Sequence, residues 1–241
     1  MAIISSPTGN RLLDLLRPDD FALLAPALQP TNLVFRQAAE VANQPITAIY
    51  FPTNGVLSVV ASSTGERQIE VGLIGFEGMS GSAVVMGNAQ SPNDTYVQVE
   101  GAAYRVLAGE LRRATQQSST LHDVLLHYVQ TFLIQTAHTA LANGSAKIEE
   151  RLARWLLMAQ DRLRRPDLPL THELLSIMLG VRRPGVTEAL NAMEGAGLIK
   201  ATRGAVRIVD RAAIEASANG CYGVPEAEYE RLMGAFTAPE S

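Results

Sequence analysis

The feature that most constrains this chain is a change of texture near residue 108. From about residue 31 to 107, short β-rich runs alternate with turn residues, and beyond that point apolar residues recur at helical spacing. The runs cover 46–51, 56–61, 68–74, 96–99 and 103–107. Pro52-Thr53-Asn54-Gly55, a stretch from Ser62 to Glu66, and Ser91-Pro92-Asn93-Asp94 separate them. Short strands punctuated by Gly, Pro and Asn predict a small antiparallel barrel or jelly roll. Two short helical patterns precede it, one around Leu12, Leu13, Leu15 and Leu16, the other starting at Pro18.

Composition removes several classes. The chain has 241 residues, 47% apolar, with a net charge of -4, which is a folding composition rather than a disordered one. Its single cysteine, Cys221, forbids a disulfide framework. No apolar run approaches the ~18–20 residues of a spanning helix, and the N-terminus lacks a basic stretch followed by an apolar one. A cytoplasmic protein with no membrane partner is therefore expected.

Glycine falls at every third position in Gly72, Gly75, Gly78 and Gly81. The pattern is neither a dinucleotide fingerprint nor a serine-hydrolase elbow, and corner turns account for it better than a phosphate cradle. From residue 108 to 143 a continuous helix is expected. Leu121, Leu125, Tyr128, Phe132, Gln135, Thr139 and Ala142 form one stripe, and Val129, Leu133, Thr136 and Ala140 form another. A helix apolar on two faces buries two faces, here against the barrel and against a partner helix. Asn143-Gly144-Ser145 reads as the stop, with Ser145 as the next N-cap and this point as a hinge. Residues 146–164 form another amphipathic helix, followed by a linker at 165–169.

The most specific signal spans 171–209. Thr171 is an N-cap, residues 173–179 a short helix, and Gly180-Val181 a tight turn. Pro184 sits early in a second helix that Gly197 ends, and residues 198–201 and 206–209 make a hairpin. This is a winged helix-turn-helix, the shape that docks in a DNA major groove. Arg182, Arg183, Thr187 and Glu188 lie near the second helix's start, where side chains reach bases. Lys200, Arg203 and Arg207 on the wing suit phosphates. Charge agrees: residues 144–211 hold 12 basic and 8 acidic residues, whereas the chain as a whole is acidic.

With these pieces in place, residues from about 20 to 210 resemble the Crp–Fnr superfamily of bacterial transcription regulators. The matching residues are the run from Tyr50 to Ser58, the Gly75-Phe76-Glu77-Gly78 turn, the long helix, and 170–210. The resemblance implies an α+β fold in four parts. They are an N-terminal cyclic-nucleotide-binding-like β-barrel or jelly roll (1–107), a long dimerisation helix (108–143), a C-terminal winged helix-turn-helix (144–211) and a tail (212–241). It also implies a homodimer on a near-palindromic DNA operator, contact with RNA polymerase, and an effector pocket around Gly72, Gly75, Phe76, Glu77, Gly78 and Met79. Arg183 matches a recognition-helix arginine of the family. Pro184 and Glu188 depart from its pattern, so an altered base code is expected.

Cofactors are not expected. Cyclic-AMP-binding members carry an arginine after the glycine-glutamate turn, but residues 81–99 contain no Arg or Lys. A buried phosphate without a cation is costly. Arg67 and Arg105 flank the region. An iron–sulfur cluster needs about four cysteines. His122, His127, His138 and His172 are not spaced as haem or metal ligands. An effector-independent regulator whose barrel is only a scaffold is the alternative. A cupin-like enzyme is a remote one, since residues 31–107 have no histidine and Glu70, Glu77, Asp94 and Glu100 are scattered.

The tail holds Tyr222, Val224, Tyr229, Leu232, Met233 and Phe236, enough apolar surface to dock, without a pattern that says where.

Overall fold

The computed structural model describes residues 8–64, 68–202 and 204–234. Helices α1 (Arg11–Asp14) and α2 (Pro18–Leu24) lead through a 3-10 turn (Ala25–Ala27) into strand β1 (Gln29–Leu33). Buried Asn10 anchors this start. Its carbonyl caps α1 at Leu13 N, and its amide donates to Pro52 O (2.7 Å) and Gly78 O (2.8 Å).

Strands β2 (Ala38–Glu40), β3 (Ala48–Pro52), β4 (Val56–Ser62) and β5 (Gln68–Ile74) follow. A short helix, α3 (Ser82–Val85), precedes β6 (Asp94–Val99) and β7 (Gly101–Leu107). They make two antiparallel sheets, ordered β1-β7-β3 and β2-β6-β4-β5. Leu33, Leu57, Val59, Ile74, Val97 and Ala103, from both sheets, pack together between them. The expected barrel or jelly roll is thus an open two-sheet sandwich: among the described residues no ladder joins one sheet to the other.

Helices α4 (Ala108–Gln117) and α5 (Ser119–Ser145) replace the single helix expected from residue 108. Ser118 breaks it. Ser118 is extended (φ -136°), caps α5 at Leu121 N, and donates to buried Asp20 of α2 at 2.5 Å. That hydrogen bond leads those from Thr120 and Arg17 in holding the Asp20 carboxyl below its usual range. The stop at Asn143-Gly144-Ser145 is also corrected. The helix continues through Ser145, whose hydroxyl donates back to Leu141 O, and the extended joint lies at Ala146 and Lys147.

Helix α6 (Ile148–Leu163) is buried on nearly every side from Leu152 to Arg162. It shares a core with Val56 and Leu73 of the sandwich and with α7 (His172–Leu179) and α8 (Arg183–Gly195). The expected linker at 165–169 contains strand β8 (Asp167–Leu168). It extends the hairpin of β9 (Ile199–Thr202) and β10 (Ala205–Ile208) into a three-stranded wing ordered β8-β10-β9. The tail forms α9 (Arg211–Ser217) and α10 (Val224–Met233); Phe236 lies outside the described residues.

The glycine series is explained by close approach of other parts of the chain, helices α5 and α6 at the first three positions and strand β3 at the fourth. A Cβ on Gly72 would come within 2.7 Å of the Phe132 ring of α5, and one on Gly75 within 2.7 Å of Arg162 Cβ of α6. At Gly78 it would collide with the Tyr128 ring, and at Gly81 with Ile49. Gly81 alone of the four needs a left-handed backbone (φ 79°). Gln135 of α5 fixes the same edge, accepting from Leu73 N (2.7 Å) and donating to Leu73 O (3.2 Å).

The sandwich meets the helix-turn-helix through Glu70 of β5. Its carboxylate accepts from Trp155 Nε1 of α6 and from Ser58 Oγ of β4, both at 2.6 Å, and Ser58 lies beside Met178 of α7. Burial pushes the Glu70 carboxyl up to about 7, against the opposing hydrogen bonds of Ser58 and Trp155 and the charges of Arg154 and Arg162.

Two predictions follow from this packing. Gly78→Ala forces the α5 seat apart and is expected to lower stability by about 1–3 kcal/mol in urea unfolding, the cost of overpacking. Gly195→Ala, which meets nothing within 4 Å, should gain up to about 1 kcal/mol. As for pH, folded Glu70 binds a proton that the unfolded chain releases between its ordinary value and about 7, so its contribution to stability falls as pH rises across that window. Glu70→Gln removes the charge; its amide oxygen can still accept from Trp155 Nε1, and its amide nitrogen can donate to Ser58 Oγ, which reverses that bond. It should therefore raise stability at pH 8 by on the order of 2–3 kcal/mol, with little gain at pH 4.5, as read from melting curves.

Candidate nucleic-acid interface

The helix-turn-helix is built from local signals. Thr171 caps α7 by accepting from Leu174 N at 3.1 Å. Gly180 adopts the left-handed conformation (φ 59°) that turns the chain, and Pro184 stands in the first turn of α8. Val186, Ala189, Leu190 and Met193 bury the inner face of α8 against α6 and α7. Gly197 (φ 74°) releases the chain into β9. Each feature satisfies or removes helix-end groups that would otherwise be unpaired.

This packing leaves Arg182, Arg183 and Glu188 exposed and Thr187 half-buried on the outer side of the first two turns of α8. Lys200 is exposed on β9, directly across from Arg207 of β10. The two side chains thus lie on one face of the wing. Arg203 lies outside the described residues.

Three of these side chains have partners within the chain. Glu173 of α7 pairs with Arg183 at 3.0 Å and also faces Arg36 of the sandwich at 3.5 Å. Thr187 Oγ1 lies 3.0 Å from His172 Nδ1 and donates to Arg183 O. Asp167 of β8 holds Arg207 by two parallel hydrogen bonds, 2.8 and 2.6 Å, which keep the Asp167 carboxyl below its usual range and the Arg207 guanidinium above its own. Glu173, His172, Asp167 and Arg36 were not singled out. The first two lie one turn of chain from the Thr171 cap, so only the crossing of α7 and α8 brings them to Arg183 and Thr187.

The other predicted cluster is placed differently. Phe76, Glu77 and Met79 are buried, and Gly72, Gly75 and Gly78 carry the side chains of α5 and α6 described above. Glu77 accepts from Gly75 N and pairs with Arg162 Nε at 2.8 Å, with both side chains almost wholly out of water. Arg164 stacks its guanidinium on the Phe76 ring, 3.3 Å from the centroid. Arg67 lies outside the described residues, and Arg105 stands on β7 opposite Gln29 and Tyr50. A separate cavity of about 330 Å³ opens between the sandwich and α7, lined by Phe35, Arg36, Tyr96, Glu173, Leu174 and Ile177 among others. Among the described residues no group of three or more His, Cys, Asp or Glu is placed to hold a metal ion, and no helix is long and apolar enough to cross a membrane.

Comparison with known proteins agrees with this geometry. Residues 150–217 match the model of the Crp-like helix-turn-helix domain. No curated protein matches the chain in sequence. Among solved structures, the chain is similar to a putative transcriptional regulator of the Crp/Fnr family from Eubacterium rectale. That pair has a TM-score of 0.69 and 18% identity, over 89% of this chain and all of the other. It is also similar to the c-di-GMP-responsive global regulator CLP of Xanthomonas campestris (TM-score 0.66, 14% identity, 80% of this chain and 100% of that one). A CRP-family transcriptional regulator from Thermus thermophilus gives 0.65 and 16%, over 79% of this chain and 97% of that one. Residues 150–217 are therefore a Crp-like helix-turn-helix domain, carried on a chain that has the Crp/Fnr transcriptional-regulator fold.

Proposed function

We propose that this protein regulates transcription by binding a near-palindromic operator as a homodimer, with no cyclic nucleotide required. The reading rests on one observation above all. The outer side of α8's first two turns presents exposed Arg182, Arg183 and Glu188 with half-buried Thr187, beside a wing that carries Lys200 and Arg207. A helix so exposed enters the major groove, where arginine forks onto guanine and glutamate accepts from cytosine. Lys200, Arg203 and Arg207 hold phosphates. Glu173 keeps Arg183 in place before DNA arrives and must share it afterwards.

A stripe on α5 supports dimerisation. Leu126, Leu133 and Leu141 are 38%, 50% and 60% exposed, with Ala137 and Ala140 between them. The heptad-like spacing suits a two-helix seam. This seam differs from the second stripe read in the sequence, because Val129 turns inward against the sandwich. In the dimer the two α8 helices would meet successive major grooves about one helical turn apart.

Effector-independent binding is favoured by what fills the Gly72–Met79 region. Phe132, Tyr128 and Arg162 already occupy the space above its glycines, and Glu77 has its cation. RNA polymerase is the expected partner of the operator-bound dimer, and no catalytic role is assigned.

Selection from a random-sequence duplex pool at two salt concentrations, without added ligand, tests the reading. A two-fold-symmetric site is expected, and weak binding without enrichment would contradict it. Arg183→Ala should weaken that site by roughly tenfold or more and relax one base position in each half, as loss of a bidentate arginine does. Glu173→Gln should tighten binding by about two- to fivefold, the worth of an exposed ion pair. Leu133→Glu should yield monomers in sedimentation equilibrium and lose the symmetric footprint.

A further inference from the structure

The C-terminal segment from Arg211 onward ties the helix-turn-helix to the sandwich a second time. Its first part belongs to the core around α6. Ile214 and Ala218 are fully buried there. Asn219 donates to Glu150 Oε1 at 2.9 Å, and Tyr222 donates to Asp161 Oδ2 at 2.7 Å. Arg211 of α9 completes this corner by pairing with the same Asp161 at 2.9 Å.

The chain then turns sharply. Asn219, Gly220 and Gly223 have φ of 47°, 79° and 111°, which glycine and asparagine tolerate best. Gly223 N donates to Glu226, and α10 runs away along α5.

Its second part belongs to the other core. Tyr229 and Met233 are buried with Leu12, Leu13, Leu125 and Tyr128, residues of α1 and α5. The Tyr229 hydroxyl donates to Glu77 O at 2.8 Å, and Arg11 donates to Met233 O at 3.3 Å. Pro225, Glu226 and Tyr229 therefore stand beside the Glu77–Arg162 ion pair that joins the glycine turn to α6.

Two covalent crossings thus connect the helix-turn-helix to the sandwich. One is the extended joint at Ala146 and Lys147, and the other is the turn at 219–223. A body hinged at one point swings; a body held at two does not. We propose that α10 is a strap that fixes the helix-turn-helix against the sandwich, and that the helix-turn-helix shifts about the 146–147 joint only when α10 leaves its seat. The strap would act on the position of the domain whatever that domain binds, so it stands apart from the operator reading.

Native-state amide exchange in low urea, on the full chain, tests it. Three segments are compared: 227–233 in α10, 75–79 in the glycine turn, and 151–155 in α6, with 48–52 of β3 as reference. The strap predicts one common opening of the first three, with the same urea dependence, well below the urea at which β3 opens. Faster exchange of 227–233 alone, by tenfold or more, would make α10 a passive cover and overturn the proposal. So would opening of all three segments only together with β3. Tyr229→Phe keeps the ring and removes the hydroxyl, with its hydrogen bond to Glu77 O and its hydrogen bond with Arg11. It should speed exchange in all three segments by the same factor, about five- to tenfold, and acceleration confined to α10 would count against the strap.

Discussion

The ion pair between Glu77 and Arg162 sits where three parts of the chain converge, and the placing of the helix-turn-helix depends on it. Both groups are almost wholly out of water, and each would be costly alone. Removing one partner of such a pair typically costs about 3–5 kcal/mol, because the other is left charged and buried. Burial works against the Arg162 charge and is outweighed by Glu77, Glu226, Asp161 and Tyr128, so the guanidinium is held more firmly protonated than usual. The pair is therefore a positional constraint more than a source of net stability. It admits one arrangement of α6 over the glycine turn.

The rest of the interface is consistent with that constraint. Gly72, Gly75 and Gly78 leave room for Phe132, Arg162 and Tyr128, so α5 and α6 approach the sandwich at backbone distance. Glu70 receives Trp155 from the same helix. Helix α6 buries apolar residues against both neighbours, while its buried Arg154 and Arg162 reach Thr139 and Glu77, and so it joins the sandwich core to that of the helix-turn-helix. Helix α8 is carried on this block: its inner residues are locked by α6 and α7, and its first turns face outward.

What the sequence disclosed was local. Thr171, Gly180, Pro184 and Gly197 each act within one turn of chain, and together they located α7, α8 and the wing. The alternation of strands with Gly, Pro and Asn turns did the same for the sandwich. What it concealed was distant in sequence. The break at Ser118 needs Asp20, nearly a hundred residues earlier. Strand β8 is two residues long and exists only because β10 lies beside it. The glycine series carried a period but not its cause, since Phe132, Tyr128 and Arg162 stand far along the chain. Charge partners such as Glu173 for Arg183 and Asp167 for Arg207 were invisible for the same reason, and so was the seat of α10.

On the proposed function, the outer side of α8, placed by this block, is the surface that meets DNA. Amide exchange of the full chain with and without a 30-base-pair duplex measures it most directly. Added protection is expected at the first two turns of α8 and along β9 and β10, with the α3 region and β3 unchanged. Protection confined to other surfaces, or none at duplex concentrations that saturate binding, would contradict the account.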